Sequence, residues 1–241
     1  MALPKIQTPT FTLKLPSNNK KIVYRQFTVK EEKMLLIAQQ SDDDEDRIRT
    51  IKHVLQNCIV EPQDYDVSQM PSFDIEYFFL KLRAKSVGEV VTLKISPQER
   101  DDLPAQKVKI NLDEIEPYID ENHQKLIDID GDIKLEMRYP RFEDISSIGD
   151  TNNPEELFDL FTKCVNTIYE GETAYPASDH TKEEIDEFLE QLSAKQLEKI
   201  QTFFTTMPKI RTSVEYNWKS EDGKDSHKET IEIEGLMNFL S

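Results

Sequence analysis

The side chains best suited to chemistry are few and scattered along this chain. Four histidines, His53, His123, His180 and His227, stand singly in polar surroundings. No two of them share the i, i+4 spacing that sets a pair of zinc ligands on one helix face, so each reads as a surface or cap histidine. Cys58 and Cys164 fall within apolar stripes at helical spacing and read as reduced core thiols, not nucleophiles. Asp128, Asp130 and Asp132 around Gly131 invite a calcium loop. Such a loop needs glycine at its sixth position and a bidentate carboxylate at its twelfth, whereas here glycine stands fourth between alternating apolar residues. A tight hairpin turn accounts for that pattern. There is no nucleophile elbow, no glycine-rich phosphate loop and no dinucleotide fingerprint. With 47 acidic side chains, carboxylate pairs occur everywhere and none is informative. The residues nominate no catalytic group, no cofactor and no metal.

Composition narrows the classes further. The 241 residues carry 30 basic and 47 acidic side chains, a formal charge of −17. Apolar residues make up 37%, charged residues 32% and aromatics 9%, with 6 Gly and 12 Pro, which reads as a folded acidic protein and not a low-complexity chain. No run approaches the ~18 apolar residues of a membrane span. The opening Met-Ala-Leu-Pro-Lys has neither the charged nor the apolar region of a signal peptide, so none is expected, and the two separated thiols read as reduced residues of an intracellular protein. The acidic balance disfavours nucleic-acid binding, which needs clustered Lys and Arg. Charge is uneven, however: residues 1–40 hold 7 basic and 2 acidic side chains. A basic end and an acidic body could serve head-to-tail contacts with other proteins, or the basic end could pack on its own acidic body.

The elements that must position these groups are legible in outline. Residues 10–15 and 21–27 read as strands around the turn Pro16-Ser17-Asn18-Asn19. A broadly apolar helix is expected from Val29 to Gln40. After the acidic run Asp42 to Asp46, a helix with the stripe Ile48, Ile51, Leu55 and Cys58 follows. A third helix, Ser72 to Ser86, carries so many aromatics that it must be buried on more than one side, and Gly88 ends it. Val90 to Ile95 and Gln106 to Leu112 resemble paired strands, and Leu126 to Tyr139 a hairpin. The last third shows helical stripes at Leu157, Phe161, Cys164 and Ile168, at Ile185, Phe188, Leu189 and Leu192, and at Leu197, Ile200, Phe204 and Met207. Thr181-x-x-Glu184 and Ser193-x-x-Gln196 match the capping box. A hairpin turning near Asp222-Gly223 and a short helix over Gly235 to Leu240 complete the chain. The fold class is α+β, with an N-terminal α+β domain over 1–145, a linker near Ser146 to Pro154, and a C-terminal helix and hairpin domain over 154–241.

Several stretches carry a family likeness: Leu3-Pro4-Lys5-Ile6, Thr8-Pro9-Thr10-Phe11, Tyr24-Arg25, Val29-Lys30-Glu31-Glu32-Lys33 with Leu35-Leu36-Ile37-Ala38, Phe73-Asp74-Ile75-Glu76-Tyr77, and Leu82 through Glu89. Together they resemble the baseplate hub assembly protein family of contractile-tailed, T-even-like phages. The resemblance is densest over residues 1–90 and returns at Met207-Pro208-Lys209-Ile210 and Gly235-Leu236, with little in the middle third. It implies a late phage protein that builds the central hub of the tail baseplate, as assembly chaperone or hub component, through contacts with other hub proteins and without enzymatic activity. It places the protein in the host cytoplasm during assembly and allows for the virion baseplate. Some members carry paired cysteines in two hairpins, like small zinc ribbons; the hairpins at 90–112 and 212–233 here contain none, so apolar packing must hold them.

On this reading the candidate partner-binding residues are Arg25, Lys30, Glu31, Glu32, Lys33, Arg83 and Lys85, where mixed charge beside aromatic or apolar helices can fix register between subunits. A solvated helix face explains the 30–33 group equally simply. An acid-rich hydrolase that degrades cell wall is the alternative, and it requires two carboxylates converging in a cleft with one pKa raised. Oligomeric state is open.

Overall fold

A computed structural model describes residues 6, 8–41, 43–141, 143–144 and 153–235. Among them are six α-helices and twelve strands, with every strand pair antiparallel: an α+β protein. Contacts group the chain into two units. The first comprises Met1–Val67, Phe73–Tyr118 and Lys209–Ser241; the second comprises Ser68–Ser72 and Ile119–Pro208.

The first unit opens with β1 (Thr10–Lys14) and β2 (Lys21–Arg25), paired from Thr10↔Arg25 to Lys14↔Lys21. Asn19 takes the left-handed conformation (φ 57°) that closes their turn, a role its short polar side chain tolerates. Helices α1 (Val29–Ala38) and α2 (Asp44–Cys58) follow, and α2 buries Ile51, Val54, Leu55 and Cys58 on one stripe. Directly after α2 the chain forms β3 (Ile59–Glu61), which pairs with β2 and has no strand signal of its own. Helix α3 (Ser72–Ser86) is buried on several sides, with Phe73, Ile75, Phe78, Phe79, Leu80 and Leu82 all shielded and Phe78 edge-on to Tyr24 at 5.2 Å. Asp74 on this helix accepts from the Ser17 N–H (3.0 Å) and hydroxyl (2.5 Å), fixing the β1–β2 turn.

Strand β4 (Val90–Ile95) alternates exposed and buried residues along its length and pairs with β5 (Gln106–Asn111). A three-stranded sheet is made by β6 (Pro117–Tyr118), β11 (Lys209–Lys219) and β12 (Ser226–Glu234) in the order β12-β11-β6. At its centre the fully buried Tyr216 donates its hydroxyl to the Pro104 carbonyl (2.7 Å).

The second unit is a four-stranded sheet, order β10-β9-β8-β7, with three helices. Its strands are β7 (Leu126–Asp130), β8 (Ile133–Met137), β9 (Val165–Glu170) and β10 (Thr173–Pro176). Its helices are α4 (Pro154–Cys164), α5 (Lys182–Glu190) and α6 (Ala194–Thr206). Both capping boxes form: Glu184 accepts from Thr181 N–H at 2.9 Å, and Gln196 from Ser193 N–H at 2.8 Å. Leu135, Phe161, Cys164, Leu189, Ile200 and Phe203 fill the core between sheet and helices.

Two expectations need correction. The helical stripe drawn through Ile168 breaks at Cys164, because Val165, Thr167 and Ile168 are β-branched and pair with β8, with Gly171 (φ 58°) turning the chain into β10. His123 is not a solvated surface residue. Its ring stacks 5.5 Å from Tyr139 and 5.2 Å from Phe203, its nitrogens lie 3.0 Å from Thr206 Oγ1 and Tyr139 Oη, and burial lowers its pKa. Most of the expected linker (146–152) and nearly all of the expected terminal helix (236–240) lie outside the described residues.

Candidate functional site

Helix α1 is apolar yet poorly covered. Of its ten residues only Glu31 and Ala38 are buried, while Val29 is 80% exposed, Leu36 54% and Ile37 61%. Val87, one residue beyond α3, is 61% exposed. Residues 32, 35, 36 and 39 share one side of α1, since helical neighbours recur every three or four positions. That side and the end of α3 form a groove of about 250 Å³ lined by Phe27, Leu35, Leu36, Phe79 and Val87, with Glu32 and Arg83 as its charged members. Isolated exposed apolar residues are unremarkable; a helix face and a neighbouring helix end that expose them together are a docking surface in the making.

The seven nominated residues divide sharply in their surroundings. Arg25 and Glu31 engage one another at 2.9 Å, and Arg25 also donates to the carbonyls of Gln26 (2.9 Å) and Asn57 (3.0 Å), tying β2 to α1 and α2. Glu31 accepts from the Thr28 N–H (2.7 Å) and hydroxyl, so it also caps α1. Burial alone would raise the Glu31 carboxyl, but the Arg25 and Thr28 hydrogen bonds and the guanidinium charge bring it down to about 2. A depressed folded-state pKa stabilises above the unfolded value and ceases to do so as pH falls through the folded one. Glu31→Gln is therefore expected to cost about 2–3 kcal/mol at neutral pH and nearly nothing near pH 2, as urea unfolding at the two pH values will read.

Lys85 reaches Asp113 and, at 3.1 Å, Glu89; these bonds raise its pKa and brace α3 against the segment after β5. Lys30, Glu32 and Lys33 are exposed and enter no ion pair among the described residues. Arg83 is the anomaly. Its Nη1 is shut away from solvent and meets no acceptor, and burial lowers its pKa with no carboxylate to oppose it. The Thr28-x-x-Glu31 spacing is a capping-box signal in the sequence itself; the exposure of α1 has no signal of its own, because Leu35-Leu36-Ile37-Ala38 looks like core.

Elsewhere the chemistry is sparse. Cys58 and Cys164 are completely buried, and burial pushes both thiols up to about 12, so neither is poised as a nucleophile. Glu99, His227 and Glu229 offer three ligand atoms within 4.8 Å of one another. Glu229 is already engaged, accepting from Gln98 N–H (2.6 Å) and Glu99 N–H (3.4 Å) and lying 3.1 Å from His227 Nε2, which binds the β4–β5 loop to β12. Glu76 on α3 is pushed up to about 7 by burial and by the nearby Glu234. The second unit holds a cleft of about 380 Å³ lined mainly by Ile168, Tyr175, Ile185 and Phe188. Among the described residues no helix is long and apolar enough to cross a membrane.

Among the described residues, fold and surface define an α+β protein with an exposed apolar helix face flanked by charges that enter no ion pair. The family model for the T4 bacteriophage base plate protein matches residues 8–241, the middle third included. The chain belongs to that family of phage baseplate proteins. No curated protein and no solved structure matches it.

Proposed function

We propose that the protein takes part in building the central hub of the tail baseplate, as assembly chaperone or hub component, and that it acts by contacts with other hub proteins and not by chemistry. The observation that carries this reading is the α1 face of a baseplate-family chain: Val29, Leu36, Ile37 and Val87 exposed beside Lys30, Glu32 and Lys33. Apolar area of that kind is stable in water only at some cost, and burying it against a partner recovers about 25 cal/mol per Å². Such contacts form in the host cytoplasm during assembly. Deleting the gene is expected to leave infected cells with no complete baseplates by electron microscopy; a normal count would end the proposal. Mass spectrometry of purified virions separates the two roles, since a hub subunit is present in stoichiometric amount and a transient chaperone is absent.

One observation favours a second reading, the acid-rich hydrolase. Glu76, held near pH 7 with Glu234 beside it, has the raised pKa a general acid needs. Against it, neither residue lines the α1–α3 groove or the cleft of the second unit. Peptidoglycan turnover by the purified protein, lost in Glu76→Gln, would establish this reading in place of the first.

A further inference from the structure

We infer that the α1–α3 groove receives an apolar side chain from another baseplate protein, and that the same partner segment supplies a carboxylate to Arg83. The inference rests on the reading above that the protein works through protein contacts, and it names the chemistry of the partner. At about 250 Å³ the groove is smaller than the ~300–1,000 Å³ usual for small-molecule sites, and it suits one large side chain. Its walls, Phe27, Leu35, Leu36, Phe79 and Val87, select an apolar occupant. Arg83 then decides what must accompany it.

A guanidinium withdrawn from water is ordinarily paired, because leaving it unpaired costs more than the withdrawal of a paired one. Arg83 Nη1 is screened from solvent and has no acceptor. Glu32 lines the same groove but forms no ion pair with Arg83. The neighbouring Lys85 takes up Asp113 and Glu89. The groove therefore sets an apolar hollow beside the half-buried Arg83, which enters no ion pair among the described residues, with the exposed Glu32 as its other charged member. A segment with a Leu, Ile, Phe or Met anchor and an Asp or Glu within four residues meets both needs at once. Such a pairing also discriminates, since a partner carrying Lys or Arg there would set like charges together.

The test uses the full-length protein carrying the photocrosslinker p-benzoylphenylalanine in place of Gln39, at the groove wall, expressed in cells infected with phage lacking the gene. Irradiation is expected to link it to an apolar segment of another baseplate protein with Asp or Glu within four residues. Arg83→Met should lower that adduct at least tenfold, and Arg83→Lys should retain most of it. A link to a second copy of this chain, to a segment without a carboxylate, or no link at all overturns the inference, as does an adduct indifferent to Arg83→Met. The free Arg83→Met protein supplies an independent readout. Methionine keeps the apolar stem and removes the unpaired charge, so its Tm is expected to rise by about 2–5 °C. A fall in Tm would make Arg83 a structural residue and overturn the inference. If baseplates still fail without the gene while no adduct forms, only the groove assignment falls; complete baseplates without the gene would remove the underlying reading instead.

Discussion

Leu36→Gln combined with Val87→Gln is expected to weaken the protein's association with its baseplate partner by about 10- to 100-fold while leaving the free protein folded. Both side chains are more than half exposed, so neither holds the core; glutamine is well tolerated in the α1 helix at position 36, and position 87 lies in a turn beyond α3. Fully burying an aliphatic side chain is worth about 1.5–3 kcal/mol; about half of each is still exposed in the free protein, so the two losses together give roughly one to two orders of magnitude in affinity. Circular dichroism and Tm should match the parent within a degree or two. Complementation with the variant should leave few complete baseplates. Full complementation by a folded variant would show that the apolar face of α1 is not where the partner binds.

Glu76→Gln is expected to stabilise the protein by about 3 kcal/mol at pH 8 and to change nothing below pH 4. The Glu76 carboxyl sits at about 7 in the fold against 4.5 when free, because burial and Glu234 disfavour its charge. For an acid whose pKa is raised on folding, the native state binds the extra proton. Stability is therefore full below the unfolded pKa and declines as pH rises through the folded one. A shift of that size corresponds to about 3 kcal/mol. Urea unfolding of parent and variant from pH 4 to 8 should show the parent curve falling towards pH 8 and the variant nearly flat. Parallel curves across that range would mean the carboxyl is already ionised at neutral pH in the native protein.

What could be read from the residues was local. Helix α3 has the expected ends, Ser72 and Ser86, because its aromatic crowding and the glycine beyond it are marks within the segment itself. The two capping boxes and the turns at Gly131 and Gly223 were equally legible, since each is specified by two to four adjacent residues. The segments missed were those whose structure is lent by a distant partner. Strand β3 exists through β2, β6 through β11, and β9 through β8, where a run that continues a helical stripe in sequence changes backbone at Val165. The site followed the same rule. Charge positions were visible, but not that Arg25 and Glu31 would satisfy each other, that Lys85 would reach Asp113, or that Arg83 would be left with no acceptor. Periodicity places apolar residues on a face; it does not say whether anything covers that face.

The first unit is split in the chain: strands β11 and β12 join segments before Tyr118, while residues 119–208 between them belong to the second. On the ribosome, the sheet and three helices of the second unit have every one of their own strands and helices in hand before β12 is translated. The β6–β11–β12 sheet must wait for the last of them. Until then the faces that Tyr216, Ile231 and Ile233 will cover stay open to whatever else is nearby in the cell. Nascent chains ending at residue 208 and stalled behind a linker long enough to clear the ribosome exit tunnel should thus protect β7–β10 and α4–α6 from protease while leaving 90–118 open to cleavage.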